Sequence, residues 1–243
     1  MKEKRFYYNG ELDSSSRIEL DGEEFHHLTN VMRARIHDKV CLFNGNGNFY
    51  FGEITEIAKK FAEIEINRCE KSENEPSIQI DVFQALAKGD KLSLIMQKIT
   101  ELGASNLYLF ESKFCDVKAN TNKQERMDLV SISASKQCGR ATIVSSFGVL
   151  NVKDIAKMVG DYDAFFVAYE NEDGHTLTQS LLNRKDKLKK VAIMIGAEGG
   201  FSENEIELLK NAGADIVSLG KRILRTETAT ISCTALISQI LEN

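Results

Sequence analysis

Apolar and polar residues alternate through much of the first third of the chain, the pattern of half-buried β-strands. Residues 49–57 and 61–66 show it most clearly, and shorter runs lie at 5–8, 17–20 and 40–43. Asn44-Gly-Asn-Gly-Asn48 is a strong turn signal between two of these strands. With one helix near residues 23–32, the pattern predicts a small β-barrel spanning residues 1–72.

The pattern changes after the polar stretch 69–77, which holds the only proline, Pro76, and is typical of a linker. Apolar runs at 78–83, 107–110, 164–168, 191–195 and 216–219 then alternate with helical periodicity at 90–102, 124–138, 203–213 and 227–241. This alternation predicts a second, α/β domain over residues 73–243, with a mostly parallel sheet covered on both faces.

Composition narrows the classes of function. The 243 residues carry a net charge of −5, with 42% hydrophobic and 28% charged residues, which is ordinary for a globular protein and disfavours wholesale coating of nucleic acid. No apolar run approaches the ~20 residues that span a bilayer. The five cysteines form no C-x-x-C pair, so neither a metal site nor a disulfide framework is predicted, and a cytoplasmic location is expected.

Two glycine-bearing loops near the end of the chain are the hardest part to explain as scaffold. One is Gly196-Ala-Glu-Gly-Gly-Phe-Ser-Glu-Asn-Glu205, in which Ser202 and Glu205 fit a helix capping box. The other begins at Leu219-Gly-Lys-Arg-Ile-Leu-Arg225. Each joins an apolar run to a helix, so both are expected at the carboxyl edge of the sheet, where open α/β folds bind ligands. The alternative is that the glycines only permit tight turns.

The residues of these loops restrict the ligand. Neither G-x-x-x-x-G-K-[ST] nor G-x-G-x-x-G is present, and Glu198 would repel a phosphate. A carboxylate suits a ligand with positive charge, and S-adenosylmethionine has an adenosine without phosphate, a sulfonium and an ammonium. Arg225 and Glu227 flank Thr226, the predicted N-cap of the last helix. They could form a surface ion pair, or Arg225 could hold an RNA phosphate or balance charge on a base.

At these residues the chain resembles the bacterial 16S rRNA uracil-N3 methyltransferases of the SPOUT superfamily. The resemblance rests on both loops and on Lys88-Gly-Asp-Lys91, Gln97-Lys98, Glu101-Leu-Gly103, Lys136-Gln-Cys-Gly-Arg140, and His27 with Val31-Met-Arg33. These matches run in the same order from about residue 5 to residue 235. Ala197 replaces a usual proline and Met32 a usual leucine, and neither change removes a functional group.

The resemblance implies a trefoil-knotted α/β domain preceded by a PUA-like, RNA-binding barrel, in a homodimer whose site is completed near the partner chain. It also implies that S-adenosylmethionine lies bent in the knot. The cofactor-binding residues carried over are Ala168, Glu170, Gly196, Ala197, Gly199, Gly200, Leu219, Gly220, Ile223, Leu224 and Thr228.

The implied reaction is methylation of N3 of a uridine in 16S rRNA of the 30S subunit, with Arg225 and Glu198 as the catalytic candidates and Glu227 as another possible proton acceptor. The RNA-binding candidates are Arg5, His27, Arg33, Lys91, Arg140 and Arg222, each of which could instead be a solvated surface charge. Two alternatives stay open. One is a related enzyme with another target, such as a ribose 2′-hydroxyl of tRNA, and the other is a non-catalytic RNA-binding module.

Overall fold

The computed structural model describes residues 4–117 and 122–242. Its contacts divide the chain into two compact units. The first holds the described residues up to Glu75 together with the segment Ser135–Ile143, and the second holds the remaining described residues from Pro76 onward. The later segment is an addition to the first unit that the linear pattern did not predict.

The first unit is a five-stranded sheet with the order β1-β3-β4-β5-β2, in which β1 and β3 are parallel and the other pairs antiparallel. Alternate residues of these strands, with Leu28, form one apolar core. The strands are β1 Lys4–Tyr7, β2 Arg17–Leu20, β3 Lys39–Phe43, β4 Asn48–Ile57 and β5 Ala62–Lys71. The predicted helix is present, but it is a short α1, Gly22–His26, continued by a π-helical turn, His27–Val31.

A buried ion pair joins the segment 135–143 to the end of the first unit's main stretch. The Arg140 Nε donates to Glu75 Oε2 at 3.0 Å, and only 6% of the Arg140 side chain is exposed. Glu75 also accepts from the backbone N–H groups of Ala141 and Thr142 and from the Thr142 hydroxyl. Burial alone would raise the pKa of Glu75, but these donors and the Arg140 charge together lower it below 4.5.

The second unit is a six-stranded, all-parallel sheet with the order β11-β9-β10-β6-β7-β8. Its strands are β6 Gln79–Ala85, β7 Asn106–Glu111, β8 Ser145–Asn151, β9 Ala164–Ala168, β10 Lys190–Ile195 and β11 Asp215–Val217. Its helices are α2 Lys91–Glu101, α3 Asn122–Cys138, α4 Val152–Met158, α5 Leu177–Arg184, α6 Glu203–Asn211 and α7 Thr226–Leu241, and α3 runs into the segment of the first unit.

Helices cover both faces of this sheet because successive side chains of a buried strand point to opposite sides. On β6, Ile80 and Val82 belong to a core that includes apolar residues of α2, α5 and α7. Phe83 and Ala85 belong to the core on the other face, with residues of α4 and α6. Cys233 of α7 is fully buried, and burial raises the pKa of its thiol to about 12.

The structure departs from the predicted elements where the pattern was weak. The strand β8 and the short helices α4 and α5 were not predicted. β8 lies at the sheet edge, and most of its residues are exposed, so it lacks the apolar run that marks a buried strand. The last strand ends at Val217 rather than at residue 219, which leaves Leu219 in the following loop.

Within residues 4–117 and 122–242, none of the helices has the length and apolar character needed to cross a bilayer.

We expect Glu75→Gln to lower the free energy of unfolding by about 3 kcal/mol at pH 7, because it removes the carboxylate that pairs with the buried Arg140 guanidinium. The pKa of Glu75 is lower in the folded protein, so its contribution is complete above the unfolded value of 4.5 and is lost as pH falls below it. Urea denaturation followed by circular dichroism, repeated between pH 7 and pH 3, measures both effects.

Glu73→Gln is the matched control, since Glu73 is exposed and the change should cost less than about 0.5 kcal/mol. A difference between wild type and Glu75→Gln that does not shrink in acid would contradict the role given to this carboxylate.

Candidate functional site

A cavity of about 500 Å³ lies at the carboxyl edge of the parallel sheet. Register places Ile195 of β10 beside Ala168 of β9 on one side and Gln84 of β6 on the other, and Val217 of β11 lies on the far side of Ala168. The loops that leave these neighbouring strands therefore emerge together. The cavity is lined by residues 168–170, 195–201 and 219–226, with Lys91 and Ala229.

The three glycines of the first loop each touch a different neighbour. A Cβ on Gly199 would lie 2.7 Å from Phe114 Cβ, and one on Gly196 would lie 3.1 Å from the Phe201 ring. Gly200 has φ +67°, and a Cβ there would lie 2.4 Å from Glu170 Oε1. Close packing against Phe114 therefore requires glycine at position 199, the positive φ favours it at position 200, and Phe201 leaves little room at position 196. The sequence pattern could not show the packing against Phe114.

The start of α6 holds the first loop in place. The Ser202 N–H donates to Glu205 Oε2 at 2.9 Å, the reciprocal arm of the predicted capping box. The other oxygen, Glu205 Oε1, accepts from the Lys113 N–H at 2.8 Å. One carboxylate thus fixes both the helix start and the segment that carries Phe114 against Gly199.

A buried hydrogen-bond network ties the second loop to the first. Thr226 Oγ1 donates to the Gly196 carbonyl at 2.7 Å and accepts from Gln84 Nε2 at 2.9 Å. The Thr230 hydroxyl donates to Gln84 Oε1. The prediction that Thr226 is the N-cap is wrong by one residue: Arg225 is the N-cap, and Thr226 opens the helix with its side chain turned inward.

Lys91 pairs with two carboxylates beside the cavity. Its Nζ lies 2.6 Å from Glu198 Oε1 and 3.7 Å from Glu227 Oε2. The hydrogen bond that Lys91 donates to Glu198 raises the pKa of Lys91. Burial opposes ionisation of Glu198, yet the hydrogen bond from Lys91 leaves the pKa of Glu198 below its usual value. Both groups are therefore held in their charged forms.

The pairing changes the electrostatic interpretation of Glu198. The cavity lining carries Lys91, Lys221, Arg222 and Arg225 against Glu170 and Glu198. With Lys91 and Glu198 satisfying one another, the remaining charge is positive. The sequence-based view that Glu198 is free to attract a cationic ligand is therefore revised, because its carboxylate is already neutralised.

The cavity brings together most of the predicted site. Both catalytic candidates, Arg225 and Glu198, line it. Thr228 does not line it and is exposed on α7. The cofactor candidates that do line it are Ala168, Glu170, Gly196, Ala197, Gly199, Gly200, Leu219, Gly220, Ile223 and Leu224.

The RNA-binding candidates fall into two groups. Lys91 and Arg222 line the cavity of the second unit, whereas the other four belong to the first unit. Of these, Arg33 is exposed, with φ +48°. Arg5 packs over the Phe49 ring at 5.4 Å, and His27 packs edge-on against Phe6.

Arg140 requires a correction. Its guanidinium is buried against Glu75 and Thr142, so its geometry supports a structural role and not the predicted contact with RNA.

A second cluster of reactive side chains has the residue types of a hydrolase but not the geometry. Ser180 Oγ and Asp215 Oδ1 both lie 2.8 Å from His175 Nε2. A catalytic triad needs the nucleophile and the carboxylate on opposite ring nitrogens. The cluster therefore fastens α5 to β11. Across the part of the chain that the structure describes, no group of three or more His, Cys, Asp or Glu side chains is placed to hold a metal ion.

Comparison with known proteins gives matches along almost the whole chain. Residues 73–238 match the model of the RNA methyltransferase domain, and residues 20–67 match that of the RNA methyltransferase PUA domain. Ribosomal RNA small subunit methyltransferase E of Bacillus subtilis is 29% identical, covering 94% of this chain and 92% of that protein. The protein of the same name from Buchnera aphidicola subsp. Acyrthosiphon pisum is 30% identical, covering 93% of this chain and 89% of that protein.

The fold is likewise shared with solved structures. A ribosomal RNA small subunit methyltransferase E from Neisseria gonorrhoeae, crystallised with S-adenosyl methionine, has a TM-score of 0.88 and 29% identity, covering 98% of this chain and 97% of its own. These matches confirm the predicted fold class, a SPOUT-type α/β domain preceded by a PUA-like β domain. The trefoil knot stays a prediction.

We expect Lys91→Met to raise the pKa of Glu198, because the hydrogen bond from Lys91 is the strongest influence that favours its charged form. Carbon-13 NMR titration of the glutamate carboxyl groups measures this value. Lys98→Met, which removes a similar ion pair with Glu101 on α2, is the control and should leave Glu198 unchanged. An unaltered Glu198 titration in Lys91→Met would refute the assigned coupling.

Proposed function

Because the chain belongs to the RNA methyltransferase family, we propose that it is an S-adenosylmethionine-dependent enzyme that methylates N3 of a uridine in 16S rRNA. The observation that carries this proposal is the cavity at the sheet edge, built from both glycine-bearing loops and edged by Arg225. The names of the relatives, small subunit methyltransferases of ribosomal RNA, support the substrate class. The uridine N3 position rests on the motif resemblance.

The cavity residues fit S-adenosylmethionine. A volume of about 500 Å³ is within the usual range of ligand pockets, about 300–1,000 Å³. Ala168, Ile195 and Leu224 offer apolar surface for an adenine, and the bare backbone of residues 196–200 allows close approach. The Glu170 carboxylate is an acceptor for hydroxyl or ammonium donors. When bound, the cofactor supplies an electrophilic methyl group on a sulfonium.

The protein's own task is to make N3 a nucleophile and hold it in place. N3 of uracil carries a proton, and its loss places negative charge on the ring oxygens. Arg225 is exposed at the cavity rim, and its guanidinium stabilises that charge. Holding N3 in line with the methyl group contributes several kcal/mol in well-oriented reactions.

Glu198 is better suited to positioning than to accepting the proton. Its pKa is lowered by Lys91, and a weaker base is a poorer proton acceptor. Glu227 Oε2 is buried, receives no hydrogen bond from the described residues and lies 3.7 Å from Lys91 Nζ. It does not line the cavity, however. We therefore assign the proton to solvent at the rim and assign Glu198 to fixing Lys91.

Four further features belong to the proposal. The enzyme is a homodimer, the 30S subunit is its substrate, and it acts in the cytoplasm where ribosomes are assembled. The chain divides functionally after residue 72, with an RNA-binding first domain. Sedimentation of the full chain tests the dimer, and comparing free 16S rRNA with 30S particles tests the substrate.

The function is tested by incubating the protein and labelled S-adenosylmethionine, in separate reactions, with 30S particles and with tRNA from a strain that lacks the enzyme. The product nucleosides are then identified by mass spectrometry. We expect N3-methyluridine from 16S rRNA. Ribose 2′-O-methylation of tRNA would instead support the alternative enzyme, and cofactor binding without turnover on any RNA would support the non-catalytic module.

We expect Arg225→Ala to lower kcat by about 10²–10³-fold, the usual cost of removing a donor that stabilises developing negative charge. The affinity for S-adenosylmethionine, measured by calorimetry, should change much less. Arg222→Ala on the same loop is the matched variant and should raise KM for 30S particles more than it lowers kcat. A loss in Arg225→Ala confined to KM would contradict the catalytic assignment.

A further inference from the structure

Ile223 is the most exposed large hydrophobic side chain in the described part of the chain, at 89%. It lies on the loop between β11 and α7, at the edge of the cavity. Two other apolar residues of this loop, Leu219 and Leu224, pack against the core and anchor it. The loop is therefore held so that Ile223 alone points an aliphatic group to solvent beside the site.

Three positive side chains lie within two residues of Ile223 along the chain. Lys221, Arg222 and Arg225 are exposed, belong to the same loop and line the same cavity. Among the described residues, none accepts a hydrogen bond from these three side chains or forms an ion pair with them. An apolar tip between unpaired cations complements a chain of phosphates with stacked bases between them.

We propose that Ile223 is a wedge that enters the substrate RNA and fills the place left in the base stack when the target uridine turns into the cavity. The flanking cations hold the neighbouring phosphates. This inference rests on the proposed function, since it requires RNA as substrate. A stacked or paired base does not offer N3 to the cavity, and enzymes that modify bases extrude them, at a cost of a few kcal/mol. Aliphatic side chains are inserted between base steps in other nucleic-acid complexes.

Charge favours RNA over a second copy of the chain at this tip. A second copy, docked symmetrically through this loop, would bring three positive charges against the same three. RNA phosphates instead neutralise these cations.

The test compares Ile223→Ala with Ile223→Leu and with Leu182→Ala, which truncates an exposed leucine of α5 outside the cavity lining. Three quantities are measured on the full chain: kcat/KM on 30S particles, affinity for S-adenosylmethionine, and sedimentation coefficient. A fourth measurement uses a short RNA copy of the methylated region that carries 2-aminopurine beside the target uridine. The fluorescence of 2-aminopurine rises when its neighbour is unstacked.

We expect Ile223→Ala to lower kcat/KM by about 10–100-fold, the equivalent of losing part of the unstacking free energy. It should also abolish the fluorescence rise. Ile223 lines the cavity, but its side chain is 89% exposed, so its truncation should leave cofactor affinity within twofold of wild type and the sedimentation coefficient unchanged. Ile223→Leu should keep at least a third of the activity, and Leu182→Ala should behave as wild type.

Three results with Ile223→Ala would overturn the wedge. A tenfold loss of cofactor affinity would make the tip a cofactor contact, and dissociation of an oligomer would make it a subunit contact. An unchanged kcat/KM would show that the side chain has no role in the reaction. If the wild type methylates a position other than uridine N3, the proposed function fails, but the fluorescence measurement on that RNA still decides the wedge. If the wild type binds no RNA, both are overturned.

Discussion

The buried hydrogen bonds of Thr226 are the interaction on which the site depends. Its hydroxyl joins the Gly196 carbonyl of the first loop to Gln84 at the end of β6, and Thr230 completes the link one turn along α7. Gln84, Thr226 and Thr230 are almost fully buried. Because each donor and acceptor left unpaired there would cost about 1–3 kcal/mol, the strand end, the loop and the helix start have one favourable arrangement. Arg225 is the N-cap residue directly before Thr226, so this network also fixes the position of its backbone.

Ion pairing decides which charged side chains of the site remain uncompensated. Lys91 and Glu198 neutralise one another at 2.6 Å, so they shape the wall without adding net charge. The second loop supplies the uncompensated cations Lys221, Arg222 and Arg225. The first loop thus provides close packing and bare backbone, whereas the second provides the positive field. This division suits a cavity that meets a small ligand on one side and a polyanion on the other.

The sequence was sufficient for the elements with strong periodicity. The alternation in residues 49–57 and the apolar run at 191–195 lie within the observed β4 and β10, because burial of one or both faces dictates those patterns. The exposed strand β8 and the inward turn of Thr226 carry no such pattern.

Long-range partners were equally hidden in the sequence. From the sequence alone, Arg140 and Lys91 are basic residues with no identifiable partner. The structure places Glu75 beside Arg140 and Glu198 within hydrogen-bond distance of Lys91. The two glycine-bearing loops were found because glycine and capping signals are local, whereas the reasons for each glycine, Phe114 and Glu170 among them, are tertiary.

The buried thiol of Cys233 reports on whether α7, whose first turn lines the cavity, is docked against the sheet. It sits on α7 two turns beyond Thr226, fully enclosed and with a raised pKa, so it is inert to thiol reagents while the helix is docked. Cys69 is exposed and reacts without any opening. The rate at which a thiol reagent modifies Cys233, divided by its rate at Cys69 in the same molecule, therefore measures how often α7 undocks.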